Sequence, residues 1–225
     1  MAAYRIVVMC SGNGSNLQAI LDACASGTIP NASVVKVFIN RKKAFAATRA
    51  AQAGIPCEYF NLISQGYHAL GEKDALKLKE ARSHYDRDIA NKVLQEEADL
   101  VVLPGWMYIF SPAFLKPMDA AGIQVINLHP ALPGQYDGIN AIARAHADCL
   151  AGKLPLGYTG VMAHHVVDEV DKGPPILVQK VPCSPKDSLD DLEKRIHLAE
   201  HDVLVQAIAQ LVQPVWRARQ NDEGS

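Results

Sequence analysis

The chain has 225 residues, with 22 Lys and Arg against 24 Asp and Glu, and this near-neutral charge argues against nucleic acid as its main partner. Apolar residues make up 49% and charged residues 20%, which excludes a disordered chain and is typical of a globular one. Five scattered cysteines without CxxC spacing and no long apolar run exclude a disulfide scaffold, a zinc ribbon and a membrane span.

Strands and helices alternate along the first part of the chain, which enters a strand pattern directly, without a signal peptide. We therefore expect a cytoplasmic protein with reduced thiols. Five short apolar runs predict buried strands of a parallel sheet: residues 5–10, 34–39, 58–60, 100–103 and 123–127. Helices are predicted between them, over residues 15–27, 44–53 and 74–97 and from the Ser111-Pro112 pair.

The pattern changes in the last third of the chain. A helix is predicted over residues 141–151, and two β-rich segments then flank a turn at Lys172-Gly173, which predicts a hairpin. A final helix is predicted from about Ser188 to Val212, ended by Pro214 and followed by a polar tail at residues 213–225. The expected fold is one α/β domain, with a doubly wound, mostly parallel sheet, an appended C-terminal β-hairpin and a terminal helix.

The segment SGNGSNL, at residues 11–17, joins the first predicted strand to the first predicted helix. Its glycines let the backbone approach an anion, and the helix N-terminus offers unpaired N–H groups and a favourable dipole. A dinucleotide site would place glycine at Leu17 and an acidic residue at Asn40, and the sequence has neither. The segment therefore fits a phosphate monoester better than NAD or ATP, and a tight turn that binds nothing is the alternative.

Polar side chains gather at the carboxyl end of the fifth predicted strand, an edge where open α/β sheets bind ligands. Strand alternation puts Asn127 and His129 on the same side. An amide donor beside an imidazole suits the stabilisation of an oxyanion and the movement of a proton. The acidic turn at residues 168–171 is either a solvated turn or, if Asp171 lies near His129, part of the same site.

The segment HLAEH, at residues 197–201, matches the pattern of inverted zinc peptidases. Its two histidines would share one helical face. A zinc site would need a third ligand from a further helix, and little chain follows His201. That interpretation also leaves the glycine-rich segment and the strand tip unexplained, so we predict no metal site.

Five motifs in order, SGNGSNLQAI, GWMYIFSPAF, NLHPALPG, VVDEVDKG and HLAEH, resemble those of the phosphoribosylglycinamide formyltransferases, the folate-dependent family of purine synthesis. The likeness extends over residues 5–211, and HPALPG with EVDKG is similar to the fungal members. The resemblance implies a Rossmann-like formyltransferase fold in a single domain over residues 1–225. It also implies a phosphate-binding half at about residues 1–100 and a folate-binding, catalytic half at about residues 101–212.

The resemblance implies transfer of the formyl group from 10-formyltetrahydrofolate to the amine of glycinamide ribonucleotide, and it assigns roles by position. The catalytic residues would be Asn127, His129 and Asp171. The ribonucleotide would meet Gly14, Ser15, Asn16, His197 and Glu200, of which the first three hold its phosphate. The folate would meet Arg82, Met107, Tyr108, Ile109, Phe110, Asn127, Val167, Asp168, Glu169, Val170 and Asp171, with Arg82 facing its glutamate tail.

Three positions depart from the family pattern. Tyr108 stands where many relatives have arginine, His197 replaces a commoner glutamine or lysine, and His164-His165 replaces a histidine–aromatic pair. None of these departures removes a member of the catalytic trio.

The implied chemistry needs no metal. The neutral amine attacks the formyl carbon, Asn127 donates to the oxyanion, and protonated His129 donates to it or passes a proton on. Asp171 beside His129 would favour the imidazolium, and a water between Asp171 and the substrate would relay the proton.

Other proteins share the formyl-folate domain. A formyltetrahydrofolate hydrolase would carry an extra regulatory domain and a methionyl-tRNA formyltransferase an extra RNA-binding one, and the chain is expected to be too short for either. A folate- and phosphate-binding protein without activity would have a defective trio. The expected partners are therefore the two small molecules, without nucleic acid or membrane, and the expected state is a monomer or homodimer.

Overall fold

The computed structural model describes residues 3–223 and, of residues 214–223, the backbone. Within this part of the chain lie seven strands and six helices. The strands are β1 Tyr4–Cys10, β2 Ala32–Ile39, β3 Cys57–Tyr59, β4 Leu100–Val102, β5 Gln124–His129, β6 Tyr158–His165 and β7 Pro175–Pro182. The helices are α1 Ser15–Ser26, α2 Ala46–Gln52, α3 Ala75–Gln95, α4 Pro112–Ala120, α5 Ala141–Leu150 and α6 Leu189–Glu223.

The strands form one sheet in the order β3-β2-β1-β4-β5-β6-β7. The pairs β1–β2, β1–β4 and β2–β3 are parallel, whereas β6 runs antiparallel to both β5 and β7. The predicted fold class, a mostly parallel sheet with an appended hairpin and a terminal helix, is confirmed. Helices between parallel strands cover both faces of such a sheet, which explains why its strands are almost continuously apolar.

Residues up to 27 together with residues 31–125 form one compact unit. Its central strand β1 is buried at every position except Arg5, and β4 is buried throughout. Helix α3 begins at its cap residue Asp74, whose carboxylate accepts from the N–H groups of Leu76 and Lys77, at 2.9 and 3.2 Å. The same helix buries Tyr85, Ile89 and Val93 at intervals of four residues.

Residues 28–30 together with residues 126 onward form a second compact unit. Strand β6 is buried from Thr159 to His164 and packs with β7 against α6. Helix α6 contributes one apolar stripe, formed by Leu192, Ile196, Ala199, Val203, Ala207 and Ile208. The predicted division of a single domain near residue 100 stays a prediction.

Pro214 does not end the last helix, and this prediction was wrong. The helical backbone continues to Glu223, through most of the predicted polar tail. Proline removes one N–H donor, here the one that would bond the carbonyl of Gln210, and the turns on either side keep their own bonds. The last two residues of the predicted tail lie outside the described residues. No helix within residues 3–223 is both long and apolar enough to cross a membrane.

The backbone at Gly160 in β6 is closely packed against neighbouring residues of the second unit. A Cβ added there would overlap Leu132 Cδ2 and lie 2.6 Å from the carbonyl oxygen of Gln179. We expect Gly160→Ala to lower the free energy of unfolding, measured in urea, by about 1–3 kcal/mol because the core has to shift to admit the methyl group. Gly12→Ala is the control, since no atom lies within 4 Å of its added Cβ. Equal stability of the two variants would contradict this packing.

Candidate active site

The antiparallel pairing of β5 with β6 places polar side chains at the carboxyl end of β5. Asn127 is paired with His164, and His129 with Met162. His129 and His164 are both buried. Two imidazoles and an amide are therefore held on neighbouring strands of a rigid sheet, where their positions are fixed by backbone pairing.

Asp171 lies in the connection between β6 and β7, and it is only 9% exposed. Its backbone adopts a left-handed conformation, with φ of 56°. Two residues later, a Cβ at Gly173 would overlap the carbonyl oxygen of His165, so this return of the chain requires glycine. This connection thus buries the carboxylate of Asp171 beside the end of β5.

The carboxylate of Asp171 meets both imidazoles. Its Oδ2 lies 3.3 Å from Nδ1 of His129 and accepts a hydrogen bond from the N–H of Gly138 at 2.8 Å. Its Oδ1 lies 3.6 Å from Nε2 of His164. The condition set by the sequence, that Asp171 lie near His129, is met, although 41 other residues separate the two along the chain.

The pKa of Asp171 is lowered from its ordinary value. Burial acts to raise the pKa, but it is outweighed by the hydrogen bonds from His164 and from the N–H of Gly138, and by the charges of His129 and His164. The carboxylate is therefore the stable form and provides a fixed negative charge inside the site.

Each ring nitrogen of His129 faces an acceptor. Nδ1 faces the carboxylate of Asp171, and Nε2 lies 3.1 Å from the carbonyl oxygen of Gln135. A neutral imidazole has one N–H and donates to only one of these groups, whereas the protonated ring donates to both. A proton on either ring nitrogen of His129 therefore has an acceptor within about hydrogen-bonding reach.

His164 is the residue of this cluster that the sequence analysis missed, since it was noted only as a departure from the family pattern. Its Nδ1 lies 2.9 Å from the carbonyl oxygen of His165, which only accepts, so Nδ1 carries a proton. In the neutral ring Nε2 is then an acceptor for Nδ2 of Asn127, 3.5 Å away. The signal available in the sequence was a histidine pair at the end of an otherwise largely apolar, β-rich segment.

Of the three carboxylates in the acidic turn at residues 168–171, Asp171 is buried and the other two are exposed. Asp168 and Glu169 face solvent, and the apolar side chains of Val167 and Val170 are exposed beside them. The predicted folate contacts of these four residues stay predictions.

The glycine-rich segment of the first unit ends at Gly14, which has a φ of 76° and precedes α1. No side chain caps this helix, so its first N–H groups are not used by a cap. Arg49 on α2 supports the segment by donating to the backbone and side-chain oxygens of Asn13, at 3.0 and 2.9 Å. A Cβ added at Gly14 would lie 2.8 Å from the Cβ of Ala46, which is too close. Glycine is therefore required here both by this packing and by the positive φ angle.

The segment after β4 adjoins the glycine-rich segment within the same unit. Ser11 donates from its N–H to the carbonyl of Gly105 at 3.2 Å, and its hydroxyl accepts from the N–H of Met107 at 2.8 Å. Met107 and Ile109 are 61% and 58% exposed, whereas Phe110 is buried. The predicted folate segment therefore presents two apolar side chains to solvent.

The HLAEH motif lies on α6, where His197 is exposed and Glu200 is partly buried. Among the described residues, no group of three or more His, Cys, Asp or Glu side chains is arranged to hold a metal ion. The predicted contacts of His197 and Glu200 with a ribonucleotide stay predictions.

A buried His–Asp pair beside the partly buried Asn127 at a strand tip of a mostly parallel α/β sheet, with a glycine-rich turn before the first helix, is typical of enzymes of the Rossmann type. Residues 4–208 match the family model described as formyl transferase. The chain therefore belongs to the formyl transferase family, and the predicted resemblance is confirmed.

Relatives within this family extend over almost the whole chain. The chain is 45% identical to the phosphoribosylglycinamide formyltransferase of Schizosaccharomyces pombe, over 92% of this chain and 96% of that protein. It is 40% identical to the enzyme of that name from Saccharomyces cerevisiae, over 95% and 99%. Its fold is similar to the crystal structure of glycinamide ribonucleotide transformylase 1 from Symbiobacterium toebii, with a TM-score of 0.79, 29% identity and coverage of 95% and 89%.

The lowered pKa of Asp171 makes stability depend on pH. Because the folded-state pKa lies below the unfolded value of about 3.9, the carboxylate stabilises the fold above pH 4, and this contribution is lost as pH falls through the folded-state pKa. We expect Asp171→Asn to be less stable than the wild type at pH 7, by about 1–3 kcal/mol in urea unfolding, with the difference shrinking below pH 4.

Asp168→Asn, an exposed carboxylate in the same turn, is the matched control and should leave the free energy of unfolding nearly unchanged. Parallel loss of stability by the wild type and Asp171→Asn between pH 7 and pH 3 would show that this charge is not stabilised in the folded state.

Proposed function

We propose that the protein transfers the formyl group of 10-formyltetrahydrofolate to the amine of glycinamide ribonucleotide, giving formylglycinamide ribonucleotide and tetrahydrofolate in purine synthesis. The observation that carries the proposal is the pairing of His129 with Asp171 beside Asn127, in a chain similar over nearly its whole length to phosphoribosylglycinamide formyltransferases. The cluster supplies the two groups that acyl transfer to an amine needs, an oxyanion donor and a proton donor.

In the proposed reaction, the neutral amine nitrogen forms a bond to the formyl carbon, and the electron pair of the C=O bond moves to oxygen. The amide N–H of Asn127 and the protonated ring of His129 stabilise this oxyanion. The intermediate collapses with loss of the bond to N10 of the folate, and the proton given up by the amine is transferred to N10. Asp171 keeps His129 oriented and charged, and no metal takes part.

Two features of the first unit support binding of the substrates. The uncapped start of α1, with the N–H groups of Ser15 and Asn16, suits the terminal phosphate of the ribonucleotide. The exposed side chains of Met107 and Ile109 suit an apolar ring system such as that of a folate. We propose that His197 and Glu200 contact the ribonucleotide, and that residues Val167 to Asp171 contact the folate.

We also propose that the chain works in the cytoplasm as a monomer or homodimer, with these two small molecules as its partners and without nucleic acid or membrane. The near-neutral charge supports the proposal about partners. The scattered cysteines support a reducing compartment.

The proposal is tested by incubating the purified protein with 10-formyltetrahydrofolate, with and without glycinamide ribonucleotide. We expect tetrahydrofolate release that depends on the ribonucleotide and equals the formylated product in amount. Release without the ribonucleotide, accompanied by formate, would identify a hydrolase. Binding of the folate without any release would identify a binding protein, and either result would refute the proposed transfer.

The roles of Asn127 and His129 are tested by replacing each with alanine. We expect kcat to fall by about 10²- to 10⁴-fold, since an oxyanion donor or a general acid is lost at the transition state. The matched controls are Asn91→Ala and His84→Ala, both exposed on α3, which should leave kcat unchanged. Near-normal turnover by a folded Asn127→Ala or His129→Ala would remove that residue from the mechanism.

A further inference from the structure

A fully buried carboxylate on α3 holds the segment that follows β4. Asp86 is 0% exposed. Its Oδ1 accepts from the hydroxyl of Tyr108 at 2.8 Å, and its Oδ2 accepts from both the N–H and the hydroxyl of Ser111, at 2.8 and 2.5 Å. Burial raises the pKa of Asp86, and these hydrogen bonds act against that rise. One side chain thus fixes both ends of residues 108–111.

Fixing these ends determines which side chains of the segment face solvent. Tyr108 points inward to Asp86 and packs edge-on against Tyr85 and Phe110, with ring centroids 5.1 and 5.4 Å apart. Met107 and Ile109, on either side of Tyr108, are left exposed. Since the hydroxyl of Tyr108 already donates to Asp86, the part of this side chain that can contact other groups is its aromatic ring.

The guanidinium of Arg82 stacks over the ring of Tyr108. The guanidinium carbon of Arg82, one helical turn before Asp86 on α3, lies 4.7 Å from the centroid of that ring. Nη2 of Arg82 donates to the carbonyl oxygen of Ile109 at 2.9 Å. A guanidinium has five N–H groups, so most of its donors stay available on an exposed side chain. A flat, oriented guanidinium binds a carboxylate through two parallel hydrogen bonds.

We propose that Asp86 and Tyr108 are positioning residues that hold Arg82 in place for a carboxylate of the folate co-substrate. The inference rests on the proposed function. Tyr108 contributes the aromatic face that orients the guanidinium, and Asp86 contributes the hydrogen bond that stops the ring from rotating away. Neither residue touches the reacting atoms, so their loss should weaken binding of the folate without slowing the chemical step.

The test compares two formyl donors that differ only in the charge of the tail, 10-formyltetrahydrofolate and its diamide, in which both glutamate carboxylates are replaced by uncharged primary amides. We expect Tyr108→Leu to raise KM for the first donor about 5- to 10-fold by removing the cation–π contact. Tyr108→Phe keeps the ring but loses the bond to Asp86, and we expect a rise of about 2- to 5-fold. For both variants kcat and KM for the ribonucleotide should stay unchanged, and KM for the diamide donor should rise by less than KM for 10-formyltetrahydrofolate.

Two further comparisons separate positioning from general loss of structure. In the Arg82→Ala background, Tyr108→Leu should cause no additional rise in KM for 10-formyltetrahydrofolate, because the group that it positions is absent. Arg87→Ala, an exposed arginine on the same helix, should have no effect. Asp86→Asn should behave like Tyr108→Phe, which keeps the inference testable if Asp86→Asn does not fold.

An equal rise in KM for both donors, or additive effects of Tyr108→Leu and Arg82→Ala, would overturn the inference. Calorimetric titration with tetrahydrofolate and with its glutamate diamide makes the same comparison without turnover. Absence of turnover by the wild type would refute the proposed function, whereas wild-type binding that does not favour the ligand with the glutamate carboxylates would refute the positioning of Arg82.

Discussion

The buried charge of Asp171 is the constraint on which the geometry of the second unit depends. A carboxylate at this depth is stable as an anion only where donors surround it, and here the N–H of Gly138 and, when they are protonated, the two imidazoles provide them. Bringing it there requires a left-handed residue at position 171 and a glycine at position 173, where any side chain would meet the carbonyl of His165. The path of the chain between β6 and β7 is therefore what allows this charge to be buried.

The two imidazoles around Asp171 have different hydrogen-bond partners. His129 faces acceptors at both ring nitrogens, the carboxylate of Asp171 and the carbonyl oxygen of Gln135. His164 has its Nδ1 proton fixed by a backbone carbonyl, so its Nε2 accepts from the amide of Asn127 when the ring is neutral and donates to the carboxylate only when the ring is protonated. In its neutral form it therefore contacts one N–H of that amide.

Sequence reasoning predicted those features that depend on local pattern. Apolar runs predicted the strands, the cap residue Ser111 followed by Pro112 predicted a helix start, and motif resemblance predicted the family. The contribution of His164 depends on which residue β6 pairs with, and that of Asp86 on how α3 packs beside a distant segment, so neither was predicted. The continuation of α6 past Pro214 was missed because the loss of one hydrogen bond does not end every helix.

The central claim, that one carboxylate governs both imidazoles, is tested most directly by NMR of histidine ring nitrogens in ¹⁵N-labelled protein. In the wild type, the account predicts that neutral His164 carries its proton on Nδ1. It also predicts that Asp171→Asn shifts the ring nitrogens of both His129 and His164, because one side chain contacts each of them. A proton on Nε2 of neutral His164, or a shift confined to one of the two rings, would contradict it.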